Sequence, residues 1–108
     1  MRVVISEPGK PARVANIKND LAEYQKTVGG LIEALFYPYG CALVCNEEGK
    51  IRKLPANRWV VTPGGIDLIF GTFFFCGVKD DEFTDIPADM EELLLRFYGQ
   101  RGGEPDND

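Results

Sequence analysis

The sequence contains no histidine. This absence removes the usual general base of Ser-His-Asp and Cys-His catalysis, and it removes the commonest protein ligand of zinc. The sequence also lacks both the GxGxxG and the GxxxxGK[ST] patterns, so it predicts no phosphate-binding glycine loop. We therefore expect a protein that is not an enzyme, with no catalytic residue, no metal site and no cofactor.

Cysteine is scarce, and the three cysteines do not form a pairing motif. Cys41 and Cys45 fall in a segment that predicts a strand, so their side chains share one face. Their Cα atoms would lie about 13 Å apart, which is too far for a disulfide. Cys76 is distant in the sequence. Reduced thiols in a hydrophobic core are expected, as is typical of a cytoplasmic protein.

Long apolar runs are missing at the N-terminus, where Val3 to Ile5 is far shorter than a signal-peptide core or a membrane span. Basic residues are outnumbered, with 12 Lys and Arg against 17 Asp and Glu, for a net charge of −5. Such a charge repels nucleic-acid phosphates and anionic lipid surfaces. The composition thus favours a cytoplasmic protein with no direct nucleic-acid partner and no membrane partner.

Hydrophobic residues make up 44% of the chain, which is enough for the core of one domain. Alternation and turn residues predict strands over residues 3–5, 13–17, 31–37, 41–45, 50–54 and 59–61. The segment from Asp67 to Cys76 is apolar on both of its alternate faces. It therefore predicts one central strand that is covered on both sides, with Gly71 permitting a bulge or a close backbone approach.

Two helices are predicted. Asp20 and Glu23 have the spacing of a capping box, and Gly29 supplies a left-handed stop after a short helix. Near the C-terminus an apolar stripe of helical period is formed by Met90, Leu93, Leu94, Phe97 and Tyr98. The order of elements predicts an α+β fold, a mostly antiparallel sheet of about five to six strands with one short and one C-terminal helix. Residues 1–98 would form a single domain and residues 99–108 a disordered acidic tail.

Five stretches together resemble the family called domain of unknown function 3846. They are Ile5–Lys10, Val28–Glu33, Ala42–Lys50, Leu54–Arg58 and Asp67–Phe74, and the resemblance extends over residues 2 to about 98. Residues 59–65 are not part of this resemblance. The resemblance implies a bacterial mobile-element protein, of phage or plasmid type, because the family is common on such elements beside antirestriction genes. It implies no catalytic residue.

Four polar residues inside these stretches are candidate ligand-binding residues: Asn46, Asn57, Arg58 and Thr72. Asn46 and Asn57 are also typical of Asx-turns. For Arg58 the alternative is that its aliphatic part simply packs on the indole of Trp59. If the site is functional, Arg58 would meet an anionic group through its planar fork.

Two functions are therefore expected. The first is a non-enzymatic interaction module that acts on a host protein, with a role in counter-defence. The alternative is a small-molecule binder that sequesters an anionic, nucleotide-like ligand through Arg58. A homodimer is expected as well, through apolar surface near the central strand or the last helix, because the apolar segment 68–76 offers more hydrophobic surface than two short helices would cover.

Overall fold

The structure, a computed structural model, describes residues 1–100 and 102–105 and contains two helices and eight strands. In chain order the elements are β1 (Arg2–Ser6), β2 (Arg13–Asn16), α1 (Leu21–Val28), β3 (Ile32–Tyr37), β4 (Cys41–Asn46), β5 (Ala56–Thr62), β6 (Gly65–Phe70), β7 (Phe73–Lys79), β8 (Glu82–Thr84) and α2 (Ala88–Tyr98). The predicted α+β class is confirmed, as is the short first helix and the C-terminal second helix.

Six strands form one antiparallel sheet in the order β2-β1-β7-β4-β3, and β8 pairs with β7 beside β1. The remaining two strands, β5 and β6, form a separate antiparallel hairpin. One face of the large sheet packs on α2 and on the β5–β6 hairpin, and the opposite face packs on α1.

β7 lies at the centre of the sheet, between β1 and β4. Its residues Phe73, Phe74, Phe75 and Cys76 are all fully buried. Phe73 and Phe75 belong to the core under α2, whereas Phe74 and Cys76 belong to the core under α1. The expectation of a central strand covered on both faces is therefore confirmed for this part of the segment, and the cover comes from the chain itself.

The expectation of one continuous strand from Asp67 to Cys76 was wrong. The chain leaves the β5–β6 hairpin at Gly71 and enters the large sheet at Phe73. Gly71 has a φ of +85°, and a Cβ atom there would lie 2.7 Å from Cδ1 of Leu54. Both features favour glycine, since the positive φ strains other L-residues and Leu54 would have to shift to make room for a Cβ atom.

The strand predicted over residues 50–54 was also wrong, because residues 47–53 form consecutive turns. The amide of Arg52 donates to the carbonyl of Glu48, and the amide of Leu54 donates to that of Gly49. A returning strand has no place beside β4, whose two edges are already paired with β3 and β7.

The helices match their capping and periodicity signals in part. Asp20 caps α1 by accepting from the amide of Glu23, and Gly29 ends that helix in the left-handed conformation. In α2 the predicted stripe is only partly buried, because Leu93 and Phe97 are about half exposed. Within the part of the chain that the structure describes, neither helix has the length and apolar character needed to span a bilayer.

The short strand β8 was not predicted, and it follows a tight turn at Asp80 and Asp81. Both residues have positive φ, 53° and 62°, which is the backbone of a two-residue hairpin turn. Asp85, which follows β8, accepts a hydrogen bond of 2.8 Å from the backbone amide of Arg2. Its carboxylate therefore ties the end of β8 to β1.

Candidate functional site

Arg58 is completely buried, although it is permanently charged. It lies near the start of β5, where the pairing with β6 shifts register between Ala56 and Arg58. Successive residues of a regular strand point to opposite faces, but Asn57 and Arg58 are 1% and 0% exposed. The irregularity allows both side chains to turn into the protein.

The guanidinium of Arg58 is held by oxygen atoms on two segments. Its Nη1 donates to the backbone oxygen of Asn57 at 3.1 Å and to the Oδ1 of the same residue at 2.9 Å. Its Nη2 donates to the carbonyl oxygen of Lys10 at 2.6 Å. These contacts fix the orientation of the guanidinium, because they engage both terminal nitrogens.

Asn57 links this arginine to two further segments. Its Nδ2 donates to the carbonyl oxygens of Ser6 and Gly71, each at 2.9 Å. The Ser6 hydroxyl donates in turn to Oδ1 of Asn57 at 3.3 Å, and Ser6 is fully buried. We call Ser6, Asn57 and Arg58 the Arg58 cluster. Residues from three of the sequence stretches singled out above therefore meet at one buried polar centre.

The C-terminal segment closes this cluster. The carboxylate of Glu104 lies 3.4 Å from Nη1 of Arg58, and the carbonyl of Gly103 accepts a hydrogen bond of 2.7 Å from the Trp59 amide. The amide of Gly102 donates to the carbonyl of Phe97 at 2.9 Å. Residues 102–105 thus contact the domain through backbone hydrogen bonds and a charge, and the disorder expected over 99–108 stays a prediction. Residues 101 and 106–108 lie outside the described residues.

One comparison with known proteins identifies a family. The profile of a domain of unknown function, DUF3846, matches residues 1–98. The chain belongs to the DUF3846 family. Neither a curated protein nor a solved structure matches it. In this DUF3846 domain the Arg58 cluster lies inside the matched region, whereas Glu104 lies beyond its end.

Of the other candidate residues in the DUF3846 domain, Thr72 adjoins the cluster and Asn46 does not join it. Thr72 is half-buried and directly follows Gly71, whose carbonyl accepts from Asn57. Asn46 is buried at the end of β4, where its side chain bonds to Val28 and Glu48. The Asx-turn expected at Asn46 is present, because its Oδ1 accepts from the amide two residues on.

The three thiols of the DUF3846 domain are buried and free. Burial raises the pKa of Cys41 to about 11 and the pKa of both Cys45 and Cys76 to about 12. The nucleophilic form of cysteine is the thiolate. All three are therefore protonated and weakly reactive at neutral pH.

A second candidate site lies at the edge strand β3, whose outer edge pairs with no strand among residues 1–100 and 102–105. The amide of Glu47 donates to the carbonyl of Leu31, directly opposite it in the β3–β4 register. Because bonding alternates along an antiparallel pair, odd-numbered residues of β3 bond to β4. The backbone groups of Ile32, Ala34 and Phe36 therefore point away from the sheet.

Beside this open edge lies an apolar groove of about 190 Å³. We define the Phe36 surface as the residues Ala34, Phe36, Ala42, Val78, Asp81 and Phe83 that line it. Phe36 is 77% exposed. The register places Phe36 opposite Ala42 on the same sheet face as α1, which covers the neighbouring part of that face through Tyr24 and Val28.

Sequence reasoning missed Ser6, Glu104 and the Phe36 surface in this DUF3846 domain. Ser6 had a signal, since it is the polar residue that follows the apolar run of β1 inside a family-like stretch. The sequence carried no signal for Glu104, because the position of Glu104 depends on backbone hydrogen bonds that a glycine-rich segment does not predict. The exposure of Phe36 depends on strand order, which places β3 at an edge.

Proposed function

We propose that this DUF3846 domain is a non-enzymatic protein-binding module of a phage or plasmid element, and that it binds a host protein in the host cytoplasm to counter host defence. The observation that carries the proposal is the exposed Phe36 on an unpaired edge strand. The resemblance to a family found beside antirestriction genes supports the mobile-element setting.

The edge of β3 supports binding by strand addition. An extended segment that pairs with an exposed edge obtains affinity from main-chain hydrogen bonds and specificity from side-chain pockets. Ile32, Ala34 and Phe36 present outward amide and carbonyl groups for such bonds. Soluble proteins usually protect an exposed edge strand with charged side chains, a bulge or a proline. Glu33 is the single charged residue of β3, so this edge has little such protection.

The Phe36 surface supports the choice of a protein partner. Exposed aromatic residues beside an apolar groove are typical of interface centres, where a few side chains carry most of the binding free energy. Asp81 is the charged residue of this surface. The partner segment that fits has apolar residues at alternate positions and a lysine or arginine that reaches Asp81.

The alternative function, sequestration of an anionic nucleotide-like ligand, receives less support from the geometry. Arg58 was the residue expected to meet the anion, and it is fully buried against Asn57, Lys10 and Glu104. A nucleotide would have to displace a segment of the chain itself. We therefore rank the protein-binding function first.

The test is capture of a partner from a lysate of the bacterial host, with three variants compared against the native protein. Phe36→Ser removes the exposed aromatic group. Ala34→Pro removes an outward N–H without touching a bond to β4, which edge strands tolerate. Ile51→Ser is the matched control, because Ile51 is 79% exposed but lies in the turn after β4.

The native protein and Ile51→Ser should capture the same host protein. Phe36→Ser and Ala34→Pro should each weaken its binding by at least tenfold, as expected for a residue at the centre of an interface. Capture of that protein by Phe36→Ser and Ala34→Pro at native affinity would move the interface elsewhere. Circular dichroism of each variant verifies the fold.

A further inference from the structure

The buried positive charge of Arg58 requires a negative charge nearby. Carbonyl oxygens of Asn57 and Lys10 accept from the two terminal nitrogens of its guanidinium, but a carbonyl group has no net charge to balance the positive charge. A buried charge is stable in a protein when a counter-charge is near it. In this chain the carboxylate of Glu104 supplies that charge at 3.4 Å.

The carboxylate of Glu104 follows a turn at residues 102–103, which lies beside the outer edge of β5. Thr62 and Gly65 close the β5–β6 hairpin, so the alternation of bonds directs the Trp59 amide away from β6. That amide donates to the carbonyl of Gly103 at 2.7 Å. Two adjacent residues thus make two different contacts: the carbonyl of Gly103 accepts a backbone hydrogen bond, and the carboxylate of Glu104 forms an ion pair.

The position before the carboxylate is selective for glycine. Gly103 has a φ of +77°, and a Cβ atom there would lie 2.8 Å from the carbonyl oxygen of Trp59. Any other L-residue would meet both a strained backbone and a steric overlap. The segment therefore shows the chemistry that this edge accepts, which is a glycine in a left-handed turn followed by a glutamate.

We infer that the Arg58 cluster and the outer edge of β5 form a binding site for an acidic peptide with a Gly-Glu sequence in a turn. Gly102–Glu104 occupies that site here as an internal ligand. The cluster lies within residues 1–98 that define the family, and its anion comes from beyond them. The site shares no residue with the Phe36 surface, so this inference does not depend on the proposed function.

The test uses the full chain and the peptide acetyl-Gly-Gly-Glu-Pro-amide. The chain has a single tryptophan, Trp59, whose amide bonds to the occupant, so its fluorescence reports exchange at the site. In the native chain the tethered segment competes at an effective concentration in the millimolar range, about that of a short flexible linker. Glu104→Gln keeps the shape of the internal ligand and removes its charge.

Glu104→Gln should bind the peptide at least tenfold more tightly than the native chain does. On this variant, replacing the glutamate of the peptide by glutamine should weaken binding by about tenfold to a hundredfold, as expected for a charge-assisted contact. Glu92→Gln is the matched control, since Glu92 is an exposed carboxylate paired with Arg96 on α2. It should bind the peptide as weakly as the native chain.

Equal affinity of Glu104→Gln for the two peptides, or no fluorescence change with either, would overturn the inference. AMP and a cyclic dinucleotide provide the other source of an anion. If they bind Glu104→Gln while the acidic peptide does not, the site is a nucleotide site and the peptide assignment is wrong. Unfolding curves confirm that each variant is folded, and Arg58 itself is left unchanged because its removal would leave buried acceptors unpaired.

Discussion

The side-chain amide of Asn46 donates a hydrogen bond of 3.1 Å to the carbonyl oxygen of Val28. Asn46 ends β4 and Val28 ends α1, so the bond ties the short helix to the sheet. Its Oδ1 accepts from the amide of Glu48 at 2.8 Å. The polar groups of this candidate ligand-binding residue are thus engaged in the fold.

Asn46→Ala should destabilise the protein by about 1–3 kcal/mol, because it leaves the buried carbonyl of Val28 without its donor. Asn46→Asp should cost at least as much, since a carboxylate cannot donate to that carbonyl. Urea unfolding measures both. Asn16→Ala, at an exposed position at the end of β2, should change the stability by less than about 0.5 kcal/mol. An unchanged urea midpoint for Asn46→Ala would show that the hydrogen bond between Asn46 and Val28 contributes nothing to the stability.

Gly71→Ala should be more destabilising than Gly9→Ala. Both glycines have positive φ, 85° and 75°, so each substitution carries a backbone penalty of about 1–2 kcal/mol. A Cβ at Gly9 meets nothing within 4 Å, whereas a Cβ at Gly71 overlaps Leu54. Overpacking of this kind adds about 1–3 kcal/mol. The free energies of unfolding of the two variants, measured with denaturant, should therefore differ by about 1–3 kcal/mol.

The double variant Gly71→Ala/Leu54→Ala separates backbone strain from steric overlap. If the side chain of Leu54 causes the extra loss, the double variant should lose less stability than the sum of the two single losses. Additive losses would contradict the overlap and assign the whole effect of Gly71→Ala to its φ.

The buried thiols should make the protein less stable in alkaline solution. Their native pKa values, about 11 for Cys41 and about 12 for Cys45 and Cys76, lie above the ordinary value of 9.0. Between those values the folded state holds more protons than the unfolded state, so the free energy of unfolding falls as the pH rises. Below about pH 8 the thiols add little pH dependence, because they are protonated in both the folded and the unfolded state.

Urea midpoints measured from about pH 8 to about pH 10.5 test this, with Cys45→Ala as the comparison. The variant should show a shallower alkaline decline, because one contributing group is gone. Tyr24 and Tyr98, whose pKa burial also raises, contribute in the same direction in both proteins. A disulfide reagent at about pH 8 should modify the three thiols only after unfolding. Rapid modification of the native protein would contradict their burial.

The homodimer expected from the sequence should form through β3, so that self-association competes with the host protein for the same edge. Both faces of β7 are covered by α1, α2 and the β5–β6 hairpin, so the central strand offers no seam. Two β3 strands can pair about a twofold axis at Ala34. Phe36 then lies opposite Ile32 of the partner subunit, and Glu33 lies opposite the partner's Leu35, which avoids a direct contact of like charges.

Sedimentation velocity should show concentration-dependent association of the native protein at micromolar concentrations. Ala34→Pro should remain a 12.0 kDa monomer, because the new proline blocks the edge, whereas Ala34→Ser should associate as the native protein does. A native protein that stays monomeric at every concentration refutes the dimer. Association retained in Ala34→Pro would place the contact away from β3.

Local signals in the sequence predicted the elements well where one feature decides the structure. Asp20 and Gly29 mark the two ends of α1, and the apolar triplet Phe73 to Phe75 marks the strand that is buried on both faces. The errors arose where the decision is not local. Whether residues 50–54 form a strand depends on free edges beside β4, and Leu93 is exposed because the core under α2 is narrower than its apolar stripe.

The candidate site shows the same division. Asn57 and Arg58 could be selected because polar residues stand beside apolar ones in a family-like stretch. Their burial could not be predicted, because it depends on a register shift in β5 and on carbonyl groups of Ser6, Lys10 and Gly71 that come from distant segments. Glu104 could not be predicted at all, since a lone carboxylate after glycines resembles any solvated tail.

The position of β7 has a consequence for synthesis on the ribosome. This strand joins β1 to β4, yet it begins only at Phe73, after both of its neighbours and their hairpins have been made. Until Lys79 has left the exit tunnel, the β1–β2 and β3–β4 hairpins have no strand in common, and each exposes an apolar edge. Such edges recruit other chains readily. A nascent chain of which only the residues before Phe73 have left the exit tunnel would therefore need a chaperone, and emergence of the seven residues of β7 would allow the sheet to close.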